Sequence, residues 1–394
     1  MSRYDFDTPV DRRHTGAMKW NIGENELPMW VADMDFKTAP EIIDAMYKRI
    51  DHGVFGYNEV GDDWYDAYIG WWERRHGLKM DKEWLIFSTG VIPTLSSAVR
   101  KLTSPNENVV ILTPVYNIFY NSILNNGARV LECELTYDGV SYDIDWADLE
   151  DKLADPQTSL MILCNPHNPV GKIWDLKTLE KIGWLAYKNN VVVISDEIHC
   201  DLTEPGTSYT PFIAASDICK DIGIMCMAPT KAFNMAGIQT SAVCVPDPYL
   251  RHKIWRALNT DEVAEPNVLA TVAAVAAFNE GEAWLDELNA YLSHNRKTVS
   301  DFIDDMEKKS ASENKPSPKL VRGEATYLMW IDMSAYDTDA DTMQDIIRDK
   351  TGLYLSTGSI YGKGGEKFLR MNIACPRSTL MDGLKRFKEG VRYL

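Results

Sequence analysis

Lys231 is the first residue whose surroundings suggest chemistry. It lies in a turn of small residues, directly after a predicted strand at Ile222–Met227. In open α/β sheets, ligands bind at the carboxyl edge of the parallel strands, where an amine can react with them. A free lysine titrates near roughly 10.4, so nucleophilic use requires burial or a Schiff base. The alternative interpretation is an ordinary surface lysine.

A second predicted strand, Val191–Ser195, ends in the carboxylates Asp196 and Glu197. A carboxylate at the end of a buried strand needs a cation or hydrogen-bond donors, because an uncompensated buried charge is costly. For Asp196, a protonated pyridine nitrogen would meet that need and would make a pyridoxal ring a better electron sink. A helix cap or an internal ion pair is the alternative.

Two further strand ends carry polar groups. The sequence Asn-Pro-His-Asn-Pro-Val-Gly at 165–171 follows a predicted strand at Ser159–Cys164 and is typical of a tight turn that presents an amide. Thr-Gly at 89–90 follows Trp84–Phe87 and opens a helix, whose first N–H groups can bind an anion. Each motif alone is an ordinary turn. Four polar features at successive strand ends indicate a shared ligand site.

The elements that carry these residues form an alternating pattern. Short β-branched runs alternate with helical patterns, and several runs are apolar on both faces, as strands covered by helices on both sides must be. The pattern predicts an α/β fold whose large domain holds a mostly parallel seven-stranded sheet between helices. The predicted strands are Trp84–Phe87, Asn108–Leu112, Arg129–Glu132, Ser159–Cys164, Val191–Ser195, Ile222–Met227 and Gln239–Val245.

The pattern of short strands and helices ends near Leu285. A long polar helix is predicted over 286–309, and a loop with lysines and prolines follows it. We therefore expect a large domain at 51–284 and a smaller C-terminal α+β domain at 285–394. The N-terminal segment 1–50 is expected to pack with the small domain.

Charge and cysteine content limit the partners and the compartment. The chain has 394 residues, and 41 Lys+Arg against 58 Asp+Glu give a net charge of −17. Such a surface repels phosphate backbones and anionic lipid, and we expect neither nucleic acid nor membrane as a partner. The seven cysteines are widely spaced and mostly in apolar segments. This predicts buried thiols and a cytoplasmic location, and no zinc motif is present.

The order of these motifs resembles the fold type I pyridoxal-phosphate enzymes, the aspartate aminotransferase superfamily. Local stretches are similar to its MalY/PatB branch, the cystathionine β-lyases or carbon–sulfur lyases: FDTPVDRR at 6–13, LPMWVADMDF at 27–36, DEIH at 196–199 and KAFN at 231–234. The resemblance covers essentially the whole chain. It implies the fold of that superfamily and pyridoxal 5'-phosphate as the cofactor.

The resemblance also implies roles around the cofactor ring. Lys231 would form the Schiff base and shuttle the substrate α-proton, and Asp196 would keep the pyridine nitrogen protonated. Asn168 would donate to the phenolic oxygen, and Tyr116 would stack on the ring face. Aminotransferases commonly have a tyrosine at the position of His199, so this histidine agrees with the lyase branch. Without the resemblance, Tyr116 would be assigned to the core.

The phosphate group would be held at a different set of residues. The resemblance assigns it to Gly90, Val91 and Ile92 at the helix start and to the Thr230 hydroxyl. Tyr57 would join them from the neighbouring subunit, so the resemblance implies a homodimer with shared active sites.

The substrate carboxylate would pair with the planar guanidinium of Arg370, with Asn168 and Tyr57 beside it. Taken alone, a strand arginine is more often a surface ion-pair partner.

Two positions depart from the superfamily pattern, in which a serine and an arginine contact the phosphate. Here these positions hold Ala228 and Gln239, so the missing positive charge must come from elsewhere.

The implied reaction is α,β-elimination from L-cystathionine, a related S-substituted L-cysteine, or L-cysteine. The products would be a thiol such as homocysteine, pyruvate and ammonia. The first alternative is an aminotransferase that uses the same lysine and needs a 2-oxo acid. The second is a protein that keeps the fold and acts by binding a regulatory partner.

Overall fold

The computed structural model describes residues 3–394 as alternating strands and helices. The strands are β1 (Leu27–Pro28), β2 (Leu85–Ser88), β3 (Asn108–Thr113), β4 (Arg129–Glu134), β5 (Thr136–Tyr137), β6 (Tyr142–Asp143), β7 (Thr158–Cys164), β8 (Val192–Asp196), β9 (Gly223–Met227), β10 (Ser241–Cys244), β11 (Lys319–Leu320), β12 (Leu328–Asp332), β13 (Leu353–Tyr354), β14 (Ser356–Thr357) and β15 (Phe368–Asn372). The helices are α1 (Pro40–Asp51), α2 (Asp62–His76), α3 (Val91–Leu102), α4 (Ile118–Leu124), α5 (Trp146–Ala154), α6 (Leu176–Lys188), α7 (Asp217–Ile222), α8 (Pro248–Thr260), α9 (Ala270–Glu280), α10 (Glu282–Glu313), α11 (Ala340–Thr351) and α12 (Arg377–Gly390).

Seven strands form the central sheet, in the order β2-β10-β9-β8-β7-β3-β4. All neighbouring pairs are parallel except those of β10, which runs antiparallel to both β2 and β9. These are the seven strands that the sequence predicts, with ends that differ by at most two residues. Strands β3 and β9 are buried along their whole length, as expected of a sheet between two helical layers. The predicted α/β fold with a mostly parallel seven-stranded sheet is confirmed.

Helix α2 illustrates how the local sequence sets an element. It ends at His76, and Gly77 follows in the left-handed region at φ 65°, where glycine has no Cβ penalty. The aromatic residues Trp64, Tyr68 and Trp72, at helical spacing, are completely or almost completely buried. They belong to the core and not to the site, as their spacing predicts.

A smaller four-stranded sheet has the order β11-β12-β15-β14 and is antiparallel throughout. The N-terminal strand β1 pairs in parallel with β13, which places residues near 27 beside residues near 353. Helix α10 begins at Glu282, so it crosses the predicted boundary between residues 284 and 285. The division into 1–50, 51–284 and 285–394 stays a prediction.

Ion pairs occupy the basic clusters of the sequence. The Arg12 guanidinium pairs with Asp33 and Asp35, each at 2.7 Å. Arg74 and Arg75 pair with carboxylates of helix α10, Glu282 and Asp286.

All seven cysteines are buried free thiols, as predicted. Within residues 3–394, no helix combines the length and apolar character needed to cross a membrane.

Candidate active site

A cavity of about 270 Å³ lies at the carboxyl ends of the central strands. It forms where the loops after β2, β7, β8 and β9 meet, as expected for a parallel sheet. Most of the predicted site residues line it: Gly90, Val91, Ile92, Tyr116, Asn168, Asp196, His199, Thr230 and Lys231. The strand-end positions therefore converge on one cavity.

Lys231 is half-buried in this cavity, four residues beyond the end of β9. Its Nζ donates a hydrogen bond to the Ala32 carbonyl at 2.6 Å. Burial lowers the pKa of Lys231 to about 8; Asp33 opposes the shift and Arg370 adds to it. The amine is therefore much closer to its neutral, nucleophilic form at physiological pH than an exposed lysine is.

Asp196 and Glu197 point to opposite sides, as successive strand residues do. Asp196 lines the cavity, and burial raises its pKa to about 6, while the Ile198 N–H bonded to Oδ1 lowers it. Glu197 is absent from the cavity lining. It accepts hydrogen bonds from Ser195 Oγ and the Phe212 N–H. Only Asp196 can serve a ligand in the cavity.

Arg370 and Asn168 are joined by a hydrogen bond from Nη1 to Oδ1 of 3.1 Å. Because Oδ1 accepts from Arg370, the Asn168 NH₂ group is left to donate to a ligand. Arg370 lies in β15, is buried, and does not itself line the cavity. Its Nη2 donates to the Trp30 carbonyl at 2.8 Å and to Ser356 Oγ at 3.4 Å.

His199 and Tyr116 supply the aromatic groups of the site. Burial lowers the pKa of His199 to about 3, and Lys231 and Arg370 add to that shift. The imidazole is therefore neutral at physiological pH, and its buried Nδ1 has no hydrogen-bond partner among residues 3–394. Burial also raises the pKa of Tyr116 to about 12, so its phenol stays protonated.

The cavity lining also includes uncharged hydrogen-bond donors. Gly90 is the N-cap of α3 without a side-chain cap, so the N–H groups of Val91 and Ile92, two residues of the cavity lining, have no acceptor within the helix. The Thr230 hydroxyl lies in the same lining. Gln239 also lines it, in the left-handed region at φ 59°. Among the described lining residues, Lys231 is the one lysine or arginine, so the predicted additional cation is not found there.

Tyr57, like Arg370, is a predicted site residue that does not line the cavity. It is fully exposed in the segment between α1 and α2. Its role in a neighbouring subunit's site stays a prediction.

A separate group of possible metal ligands consists of His76, Cys200 and Asp201, whose ligand atoms lie within 4.8 Å of one another. The Asp201 carboxylate already accepts hydrogen bonds from His76 Nε2 at 2.8 Å and from the Trp71 indole. These contacts connect helix α2 with the loop after β8 and account for the cluster without a metal ion.

Sequence reasoning missed the part played by residues 30–36 of the N-terminal segment. Ala32 lines the cavity and accepts the Lys231 bond through its main chain. Asn234, three residues after the lysine, bonds the backbone at Met34 and Phe36. The family-like stretches 27–36 and 231–234 were the available signal, but neither shows that the two segments touch.

Comparison with known proteins gives the family. A family model described as aminotransferase class I and II matches residues 18–387. The chain belongs to the aminotransferase class I and II family. Cystathionine beta-lyase PatB of Bacillus subtilis (strain 168) is 41% identical over 391 residues, which cover 98% of this chain and 99% of PatB. The predicted resemblance to the PatB branch is thereby confirmed.

Solved structures of the class I and II fold extend the comparison. A PLP-bound putative aminotransferase from Clostridium difficile 630 is 37% identical with a TM-score of 0.91, covering 98% of this chain and 100% of its own. The PLP-bound C-S lyase from Staphylococcus hominis is 32% identical with a TM-score of 0.90, covering 98% and 99%. These two relatives carry different activity names, so the fold alone does not distinguish lyase from aminotransferase.

Proposed function

We propose that the protein is a pyridoxal-phosphate-dependent carbon–sulfur lyase of the cystathionine β-lyase type. The observation that carries the proposal is the cavity in which Lys231, with its lowered pKa, and the carboxylate of Asp196 meet. The PatB and Staphylococcus hominis relatives, named as lyases, support the assignment of the reaction.

The residues of the cavity fit the cofactor group by group. Lys231 offers an amine for the aldehyde, and Asp196 offers a carboxylate for a protonated ring nitrogen. The free NH₂ of Asn168 suits the phenolic oxygen, and the unpartnered Nδ1 of His199 offers a further polar contact. When bound, pyridoxal phosphate supplies an electron sink for negative charge at the substrate Cα.

The cofactor phosphate would be held by uncharged hydrogen-bond donors. The first turn of α3 provides N–H groups and the positive end of its dipole, and Thr230 adds a hydroxyl. We propose that these donors replace the serine and arginine that Ala228 and Gln239 do not supply. An anion can be held by oriented dipoles without a second cation.

The substrate would be held by Arg370. Of the contacts made by Nη2, the one with Ser356 Oγ is the longest at 3.4 Å, so a carboxylate that takes this position displaces a weak bond. Asn168 and Tyr57 would border the same position. Lys231, with a pKa of about 8, can accept the Cα proton and donate it again near neutral pH.

We also propose a homodimer in which Tyr57 completes the neighbouring site. Large apolar side chains are exposed together around the end of α1, namely Tyr47, Ile50, Val54, Phe55 and Tyr57. Contiguous exposed apolar side chains are typical of an interaction surface.

The buried free thiols support our proposal of a reducing, cytoplasmic location.

One assay separates the lyase from the aminotransferase. The purified protein is incubated with L-cystathionine in the absence of any 2-oxo acid, and thiol and pyruvate are measured. We expect both products in equal amounts. An aminotransferase, the activity for which the Clostridium difficile relative is named, would release neither product and would turn over only after a 2-oxo acid is added.

Replacing the lysine tests the centre of the site. We expect Lys231→Ala to lower turnover on the order of 10³-fold or more, because the proton carrier is lost. Borohydride should reduce the yellow cofactor onto the unaltered chain but not onto the variant, as read by mass spectrometry. The exposed Lys79 is the control, and Lys79→Ala should behave as the unaltered protein. Full activity in Lys231→Ala would refute the assignment.

A further inference from the structure

Residues 30–36, here called the strap, have no regular secondary structure and reach the cavity at Ala32. Backbone groups outside helices and sheets need other partners when they are buried. In the strap, side chains supply them: the carbonyls of Trp30, Val31, Ala32, Asp33, Met34 and Phe36 each accept at least one side-chain hydrogen bond. The path of the strap is therefore set by side chains from elsewhere in the chain.

The donors that also belong to the site come from two places, and Arg12, Lys19, Tyr327 and Ser356 donate further bonds from elsewhere. From β15, Arg370 bonds Trp30, and Asn372 bonds the carbonyls on either side of Ala32 at 2.5 and 2.6 Å. From the turn after β9, Lys231 bonds the Ala32 carbonyl, which Tyr327 also contacts at 3.0 Å. The strap thus connects the arginine assigned to the substrate carboxylate with the lysine assigned to the proton.

Asn234 makes three hydrogen bonds to the main chain of the strap, and Asn372 makes two. Its Oδ1 accepts from the Met34 N–H at 2.9 Å, and its Nδ2 donates to Met34 O at 3.0 Å and to Phe36 O at 2.7 Å. Its backbone lies in the left-handed region at φ 51°, which asparagine tolerates better than most residues. Both its conformation and its side chain suit this one contact.

We propose that Asn234 is a positioning residue for Lys231. By fixing the strap at Met34 and Phe36, it holds the Ala32 carbonyl 2.6 Å from Lys231 Nζ. The carbonyl directs the amine whenever the amine is not covalently bonded, which is the state in which it carries the proton. The inference rests on the proposed role of Lys231. It does not depend on a sulfur leaving group.

The physical reason is the flexibility of a lysine side chain. A free amine on four rotatable bonds samples many positions, and ordering it before proton transfer costs entropy. A fixed acceptor restricts that motion, and misplacement by about 1 Å can cost on the order of a hundredfold in rate. Loss of Asn234 should therefore slow proton transfer more than it weakens substrate binding.

Asn234→Gly is the variant that tests this role, because glycine accepts the left-handed backbone and removes only the side-chain bonds. The assay is exchange of the α-proton of L-alanine in deuterium oxide by the holoenzyme, since L-alanine has no leaving group. We expect the maximal exchange rate to fall by about tenfold to a hundredfold. Half-saturation and cofactor absorbance should stay within about twofold.

A second readout is independent of catalysis. Hydrogen–deuterium exchange of the peptide that contains residues 30–36 should accelerate in Asn234→Gly, because the Met34 N–H loses its acceptor. Asn234→Asp keeps that acceptor but loses both donors, and it should lie between the two proteins. Asn289→Ala is the matched control, since Asn289 is buried and, like Asn234, donates to a main-chain carbonyl, that of Asp201 at 2.8 Å.

The outcomes separate the two proposals. An unchanged α-proton exchange rate with a loosened strap would overturn the positioning role, as would an equal loss in Asn289→Ala. If the unaltered protein exchanges the L-alanine proton but releases no thiol from cystathionine, the lyase assignment fails and the positioning role stands or falls on its own data. Failure of the unaltered protein to exchange the proton would refute the role of Lys231 and this inference with it.

Discussion

At the residue scale, the site pairs two groups whose pKa values move toward each other. Burial is the largest cause in both cases, lowering the pKa of Lys231 to about 8 and raising that of Asp196 to about 6. The cavity therefore disfavours both charges, and a bound cation beside Asp196 would relieve the cost of its ionised form. A protonated ring nitrogen is such a cation.

The lowered pKa of Lys231 predicts how cofactor binding depends on pH. A lysine is protonated and unreactive below its pKa, so the rate of cofactor capture by the stripped protein should rise with pH. We expect a midpoint of about 8, compared with roughly 10.4 for a free lysine derivative under the same conditions. The rate is followed by the appearance of the yellow absorbance.

Asp33 provides the matched variant for this experiment, since its charge raises the pKa of Lys231. Asp33→Asn should move the midpoint to a pH below that of the unaltered protein. A midpoint that stays near the value of the free derivative would show that burial does not tune this amine.

The sequence makes some of these residues predictable and others not. Lys231 and Asp196 follow apolar runs, and a charged residue at a strand end carries its own signal. The sequence gives a weaker signal for Asn234, because its hydrogen-bond partners are main-chain groups about 200 positions away. Any residue offers a carbonyl, so nothing in the residue type of Ala32 identifies it as the acceptor of Lys231. The placement of Arg370 behind Asn168, outside the cavity lining, also required coordinates.

At the element scale, the central sheet was predictable and the smaller sheet less so. The buried parallel strands are continuous apolar runs, which stand out between helical patterns. In the smaller sheet, strands β11 and β14 have only two residues each. Such short strands are defined by tertiary pairing and have too few residues for a periodic signal.

The hairpin of β14 and β15 carries Arg370 and depends on a close approach at Gly358. A Cβ at this position would lie 2.1 Å from the Gly365 carbonyl and 2.4 Å from that of Phe368. Both are backbone atoms, so the loop itself would have to move. We expect Gly358→Ala to lower the free energy of unfolding by about 3 kcal/mol, measured by urea denaturation.

Gly70→Ala in helix α2 is the control for that variant. Its added Cβ has only the Arg74 side chain within 4 Å, at 3.9 Å, and alanine in a helix interior gains about 0.5–1 kcal/mol over glycine. The two substitutions should therefore shift the urea midpoint in opposite directions. Equal stability of both variants would show that the loop accommodates the Cβ.

At the scale of the whole molecule, the net charge of −17 coexists with a proposed anion site. The basic clusters at Arg12 and Arg74–Arg75 are used in ion pairs with acidic side chains. The donors that we assign to the phosphate are mostly uncharged backbone groups. Local dipoles at short range thus decide what binds in the cavity, while net charge governs the long-range field.

The proposed dimer predicts complementation between damaged subunits. In a dimer, each site would take Lys231 from one subunit and Tyr57 from the other. Lys231→Ala and Tyr57→Ala chains, unfolded together and refolded in equal amounts, should recover about a quarter of the activity of the unaltered protein. Random pairing of a twofold dimer makes half of the dimers mixed, each with one intact site.

The control places both substitutions in one chain. Refolding that double variant with an equal amount of unaltered chain creates mixed dimers without an intact site, so only the unaltered homodimers should contribute. No recovery in the first mixture would show that Tyr57 acts in its own subunit, and full activity of Tyr57→Ala alone would show that it has no role. Sedimentation should show two chains per particle in every sample.

The hydrogen bonds of the strap limit the order in which parts of the chain can fold. A ribosome completes residues 30–36 long before it makes Lys231, Asn234, Arg370 and Asn372, whose side chains bond the strap. During synthesis this early segment has only donors such as Arg12 and Lys19, which precede it, while the strands of the central sheet can already assemble. The reactive lysine therefore reaches its final surroundings only after β15 has been synthesised, well after the lysine itself.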